Sequence, residues 1–235
     1  MEFAAAVIAL VLSAPLMIFA ALLVCLSSPG PILFRQRRMG RNGNEFILYK
    51  FRSMRAGGWK GSAITVMGDS RITWAGRFLR RYKLDELPQF WNVLKGDMGL
   101  VGPRPKLPHH EGLHLPCRPG ITGAATLAFR NEEQILLGIP EHELESFYNQ
   151  FIKPTKARLD LEYMETATPL TDLQMLWRTV ASCLTSPDDE WHSEMKQAVA
   201  YSSTESSIPE SFAHLSVPEV DDLMTSAYSG SISVN

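Results

Sequence analysis

Two carboxylates stand side by side at Asp85 and Glu86 in KLDELPQFWNVLKGDMGLVGPRP (residues 83–105), just after the basic run RFLRRYK and ahead of a Pro-Arg-Pro turn. Acids held among cations have two uses. They can form a reactive pair facing an anionic ligand, or Asp85 can serve as the N-cap and Glu86 as a first-turn acid of the helix that follows. Leu87, Phe90, Trp91 and Leu94 recur at i, i+3, i+4 and i+7, which predicts a helix from about Asp85 to Lys95, with Pro88 in its first turn and Gly96 ending it. Both acids then lie at a helix N-terminus, where the dipole favours negative charge and the apolar stripe anchors them to a core.

The basic surroundings extend well beyond this stretch. Residues 31–110 hold 16 Lys and Arg against 5 Asp and Glu, although the whole chain of 235 residues carries a formal charge of only -2. A block this basic needs an anionic partner: nucleic acid, a phosphorylated small molecule or an anionic lipid. Nucleic acid fits poorly, because aromatic side chains are not interleaved as a stacking platform and an apolar segment lies next door. Cys25, Cys117 and Cys183 are far apart without CxxC spacing, so a reducing compartment fits better than a disulfide framework or a zinc knuckle. His109, His110, His114 and Cys117 in HHEGLHLPC imitate a metal site, but the stretch contains Pro and Gly, lacks a second ligand cluster and reads as a solvated loop.

Phe3 to Leu26 contains no charge, and its 24 residues would reach about 36 Å as a straight helix, enough to cross a bilayer. Only Glu2 precedes the run, which argues against the basic n-region of a signal peptide. Pro15, near the centre, removes a helical hydrogen bond and crowds the carbonyl of Val11, so a kink is expected there, with Ser13 able to satisfy a freed carbonyl. A kinked spanning helix and a helix-break-helix hairpin that returns to its entry face both fit the residues.

Downstream, short apolar runs at 32–34 and 46–49 flank Asn42-Gly43 and predict a small hairpin, and the Gly- and Ser-rich residues 56–70 read as a loop. Further helices are expected at 132–137, 141–151, 155–166 and 170–184. The last carries Leu173, Leu176, Trp177 and Val180 on one face, a stripe suited to a core or to interfacial docking. With a 45% hydrophobic content the chain can build a real core, but residues 186–235 turn rich in Ser and acids and read as a flexible tail.

Taken in order, the Pro-broken segment, PILFRQRRMGRNG, FILYKFRSM, RFLRRYKLDELPQFWNVLKGDMGLVGPRP, RPGITG and TDLQMLW resemble the bacterial sugar transferases over residues 5–184. These are monotopic polyprenyl-phosphate phosphoglycosyl transferases that initiate exopolysaccharide, capsule and glycan assembly. The resemblance implies transfer of a sugar-1-phosphate from a nucleotide sugar, usually a UDP-sugar, to undecaprenyl phosphate, with release of UMP and a requirement for Mg²⁺. Asp85 matches the nucleophile that forms a covalent phosphosugar intermediate, and Glu86 its partner at the metal. Lys50, Arg80 and Arg104 are the cations that offset repulsion between the acids and the diphosphate. Arg130, with Asn131, keeps the family's Arg-Asn pair as a further phosphate ligand.

The resemblance also implies a mostly α fold with a small β element. Residues 1–28 would form a re-entrant membrane helix broken around Ser13 and Pro15, residues 29–185 a compact cytoplasmic α/β catalytic domain with interfacial helices, and 186–235 the tail. The chain would sit on the cytoplasmic leaflet of the bacterial inner membrane. A homo-oligomer and glycan-assembly partners stay open. Three departures bear on this. The segment begins MEF with a Ser13-Ala14-Pro15 break, and RPGITGAATLAFRNEE replaces the commoner TGWAQVNGRN, which opens the question of sugar and nucleotide preference. The competing class is a catalytically silent, membrane-anchored module that binds polyprenyl phosphate or a glycan-assembly partner.

Overall fold

In the strands LFRQRRM and EFILYKF, alternate side chains point to opposite faces, and they pair as the predicted hairpin. Strand β1 (Leu33–Met39) runs antiparallel to β2 (Glu45–Phe51), with Phe34 opposite Lys50, Gln36 opposite Leu48 and Arg38 opposite Phe46. Between them Asn42 (φ 56°) and Gly43 (φ 79°) take left-handed backbone conformations that these two residue types accept most readily. The molecule is seen in a computed structural model that describes residues 2–55, 64–66, 68–108, 115–136 and 139–184. The histidine stretch 109–114, residues 56–63 of the Gly-rich stretch and the tail 186–235 lie outside the described residues.

Helix α1 (Glu2–Ser27) is continuous through Pro15, so the expected break into two helices is not seen. Ser13 Oγ donates to the Leu10 carbonyl at 3.4 Å rather than to that of Val11. The helix touches the rest of the chain at both ends. Ala6 packs with Phe46, Leu48, Val93 and Met98, while Ala20 and Val24 pack with Phe51 and Leu79. Arg52, buried behind β2, donates to the carbonyls of Ser28 (2.5 Å) and Pro29 (2.8 Å) and so fixes the chain where α1 ends.

Helix α2 (Trp74–Arg81) starts at Thr73, whose Oγ1 accepts the Gly76 N–H at 2.9 Å as an N-cap. A Cβ on Gly76 would lie 1.9 Å from the Ser53 carbonyl, so only glycine lets α2 approach the end of β2 this closely. Lys83 then takes a left-handed conformation (φ 55°, ψ 21°) and turns the chain into a 3-10 turn at Leu84–Glu86, ahead of α3 (Gln89–Leu94). The single helix expected over 85–95 is therefore two elements. Pro88, with no N–H, sits at the N-cap position of α3, and Asp85 caps nothing.

A second, parallel pair follows, unpredicted because its strands are only three residues long: β3 (Gly99–Val101) and β4 (Gly120–Thr122). The rest is helical: α4 (Ala124–Ala128), α5 (Glu132–Ile135), α6 (Leu144–Phe147), a π turn at Tyr148–Ile152, α7 (Lys153–Thr166) and α8 (Pro169–Leu184). Phe129, Leu136, Phe147, Ile152 and Leu159 form their core. On α8 the apolar stripe faces outward, with Leu173 63%, Trp177 71% and Val180 55% exposed, which removes the core reading of that helix. The fold is mostly helical with small sheets, as expected.

Candidate active site

Asp85 and Glu86 are both buried on their turn, at 7% and 8% exposure, yet they meet different neighbours. Lys50 Nζ lies 2.5 Å from Glu86 Oε1, and Arg104 Nη2 lies 3.1 Å from the same oxygen. Lys50 projects from the face of β2 that also carries Leu48. Arg104 comes from the segment after β3. Asp85 Oδ1, by contrast, is buried with no hydrogen-bond partner.

Charges sort the pair in the same way. Burial would raise the Glu86 pKa, but Lys50 and Arg104 outweigh it and hold that carboxyl well below the usual range. For Asp85, burial is the largest effect and the neighbouring Glu86 charge adds to it. Its pKa stays raised although Lys50, Lys83 and Arg80 oppose the shift. Lys50 is itself lowered by burial, while Arg104 is raised by its carboxylate partner.

The elements that hold these groups are laced together by backbone bonds. Asn92 of α3 is completely buried; it accepts the Tyr49 N–H at 3.2 Å and donates to the Ile47 carbonyl at 2.7 Å, taking the place of a neighbouring strand along β2. The strand bearing Lys50 is thus tied to the helix that follows the acid pair. Arg104 is fixed on both sides. Gly120 N–H donates to the Pro103 carbonyl (3.0 Å), Arg38 Nη1 to the Pro105 carbonyl (3.1 Å), and Met39 N–H to the Lys106 carbonyl (2.9 Å). A Cβ on Gly120 would stand 2.1 Å from the Gly102 nitrogen, so this close approach needs glycine.

Of the residues expected from the sequence, Lys50, Asp85, Glu86 and Arg104 come together directly. Arg80 acts on Asp85 through space, but its guanidinium pairs with Glu133 at 2.6 Å. Arg130 acts electrostatically on Cys183 of α8, and its charge is not among those acting most strongly on either acid. Ser13 and Pro15 are in the middle of α1, away from both of its docked ends.

The family model for bacterial sugar transferases matches residues 1–186. The chain belongs to the bacterial sugar transferase family. It is 37% identical over 197 residues to the exopolysaccharide production protein PSS of Rhizobium leguminosarum bv. phaseoli, covering 75% of this chain and 90% of that protein. It is 49% identical over 140 residues to a UDP-glucose:undecaprenyl-phosphate glucose-1-phosphate transferase of Xanthomonas campestris pv. campestris, covering 54% of this chain and 29% of the relative. A UDP-N-acetylgalactosamine-undecaprenyl-phosphate N-acetylgalactosaminephosphotransferase of Aeromonas hydrophila is 44% identical over 137 residues, covering 53% of this chain and 32% of the relative. The match therefore spans about a third of the length of these last two relatives.

Arg38, Asn92 and Glu133 were not among the site residues expected from the sequence. Arg38 shares a strand face with Phe34 and Gln36, and a period-two reading of PILFRQRRMG would have placed it opposite β2 on the Lys50 face. It is held by Gln36 at 2.6 Å, and its pKa is lowered to about 10 by burial and by the Arg104 charge. Asn92, inside an otherwise apolar stretch, had the signal of a buried amide that must find partners. Glu133 had none, since its partner is 53 positions away (133 − 80).

Proposed function

We propose that the chain transfers a sugar-1-phosphate from a UDP-sugar to undecaprenyl phosphate through a covalent intermediate on Asp85. The observation that carries this reading is the unpartnered, buried Oδ1 of Asp85 next to a Glu86 that two cations hold ionised. A carboxylate free of hydrogen bonds is a better nucleophile than one whose lone pairs are engaged. In the first step an Asp85 oxygen attacks the sugar-bearing phosphorus, and the bond to the bridging oxygen breaks, so that UMP leaves with that oxygen. In the second, a phosphate oxygen of undecaprenyl phosphate attacks the same phosphorus and displaces the Asp85 carboxylate, giving the lipid diphosphate sugar. Arg104 and Lys50 supply the positive charge that lets two acids face a diphosphate.

Mg²⁺ fits this donor set. Lys50 and Arg104 both bond Glu86 Oε1, which leaves Oε2 without a protein partner among the described residues. No group of three or more His, Cys, Asp or Glu is placed to hold a metal among those residues, so Glu86 would share the ion with substrate oxygens, as Mg²⁺ sites commonly do. When bound, the ion would neutralise charge on the diphosphate.

The names of the relatives support the substrates, and α1 supports the location. Its apolar side chains are largely uncovered by the rest of the protein, with Val11, Leu12, Ile18 and Leu22 all exposed. Both ends nevertheless dock on the same polar domain, Glu2 on Arg118 (3.5 Å) and the Ser28 region on Arg52 (2.5 Å). A straight helix that crossed a bilayer could not keep both of its ends on that domain, so we read α1 as lying along the cytoplasmic leaflet of the inner membrane without crossing it. With Cys25, Cys117 and Cys183 replaced, Glu2→Cys should be shielded from an impermeant thiol reagent in intact cells. Labelling from outside would refute the non-spanning reading.

The reaction is tested by screening UDP-glucose, UDP-galactose and their N-acetylated forms for UMP release with undecaprenyl phosphate and Mg²⁺. Release with one donor, dependent on Asp85, is the expected result. A silent binding module would release none.

A further inference from the structure

The segment FRNEE, which begins just before the Arg130-Asn131 pair, sets two acids against cations near the site. Glu132 pairs with Lys156 at 2.6 Å and Glu133 pairs with Arg80 at 2.6 Å. Arg80 is one of the cations, with Lys50 and Lys83, whose charge acts on Asp85. Left to themselves, a guanidinium and a desolvated carboxylate within reach of each other form a charge-assisted hydrogen bond, because the unmade bond is costly in a buried setting. Asp85 Oδ1 has none. Two of its three cationic neighbours are engaged elsewhere, Lys50 by Glu86 and Arg80 by Glu133.

We propose that Glu133 is a positioning residue that holds the Arg80 guanidinium off Asp85, so that the carboxylate reaches phosphorus unpaired. This rests on the reading of Asp85 as the nucleophile. The placement suits the role. The side chains of Arg80 and Glu133 are 26% and 36% exposed, at the rim of the site rather than in its floor, where Glu86 is only 10% exposed. An ion pair at that depth is weak enough to open when a phosphate competes for the guanidinium. Glu133 sits in the first turn of α5 (Glu132–Ile135). Arg80, at the end of α2, reaches across to it and joins the two helices beside Asp85.

The test uses the full-length chain in detergent with UDP-glucose or UDP-N-acetylgalactosamine as donor, and follows single-turnover formation of the phosphosugar adduct. Glu133→Gln should slow adduct formation at saturating donor by about ten-fold, while the half-saturating donor concentration moves by less than about two-fold. Glu133→Asp, which keeps the charge, should recover most of the rate. In an Arg80→Gln background, adding Glu133→Gln should change the rate by less than about two-fold, because the residue acts through Arg80. A wild-type rate in Glu133→Gln, or the same loss in both backgrounds, would overturn the positioning role while leaving Asp85 as nucleophile. A wild-type chain that forms no adduct with any donor in the screen would overturn the nucleophile assignment and the positioning role with it.

Discussion

Around Glu86, Lys50 and Arg104 converge on one carboxylate oxygen from a strand and from a proline-bounded loop, whereas Asp85, one residue earlier on the same turn, keeps a buried oxygen with no partner. The two acids share a backbone, a depth and a charge, so the difference lies in what the rest of the fold brings to each. Pairing makes Glu86 a fixed anion and a scaffold for two cations. Burial without pairing makes Asp85 costly to the fold, and a cost kept at a single carboxylate beside a cation cluster points to use in a reaction.

The strongest way to break this contrast is to neutralise each acid in turn. Asp85→Asn should lower turnover by at least about a thousand-fold, since an amide cannot attack phosphorus. Its thermal unfolding temperature should stay the same or rise, because the variant buries an amide in place of an unpartnered charge. Retention of more than about a tenth of the wild-type rate would remove Asp85 from the mechanism. Glu86→Gln should reduce turnover by about a hundred-fold and also destabilise the fold, by about 3 kcal/mol in denaturant titration, because Lys50 is left buried without its carboxylate. Solvent screens the Arg104 share of that loss, as its side chain is 43% exposed. Equal stability effects for the two variants would mean that the acids do not differ as described.

Two smaller effects sharpen the account of what holds the cations. Arg104→Lys should slow turnover by about ten-fold with little change in unfolding temperature, since the charge survives but the planar fork that can grip a phosphate is lost. Asn92→Ala should cost about 2 kcal/mol of stability and lower turnover only modestly. It strands the Tyr49 N–H and the Ile47 carbonyl at a completely buried position, while the ion pairs themselves remain intact. A loss of activity larger than that of Arg104→Lys would show that Lys50 depends on Asn92 more than the ion pairs suggest.

Much of this was legible in the sequence wherever the signal was local. The hairpin of β1 and β2 follows from apolar runs about an Asn-Gly turn, the apolar segment from its lack of charge and α8 from its apolar stripe, whereas α4 was not expected and the helix expected over 141–151 divides into α6 and the π turn. The short strands β3 and β4 were not legible, since three residues give no alternation to read. The single helix expected over 85–95 failed at Pro88 for a physical reason, because a residue without an N–H starts a helix more readily than it continues one. In the site, Lys50, Asp85, Glu86 and Arg104 could be named from motif order, but which acid is paired and which is bare could not. That depends on Lys50 being 36 positions from Glu86 (86 − 50) and on Arg80 being drawn to Glu133, distances in sequence that only the fold closes.

The most direct test of the nucleophile is peptide mass spectrometry of the wild-type chain incubated with the active UDP-sugar and Mg²⁺ but without undecaprenyl phosphate. A sugar-phosphate mass added to the peptide that carries Asp85, absent in Asp85→Asn and discharged when undecaprenyl phosphate is supplied, is the expected result. UMP release that requires undecaprenyl phosphate from the outset, with no adduct on that peptide, would contradict the account and indicate direct transfer between the two substrates.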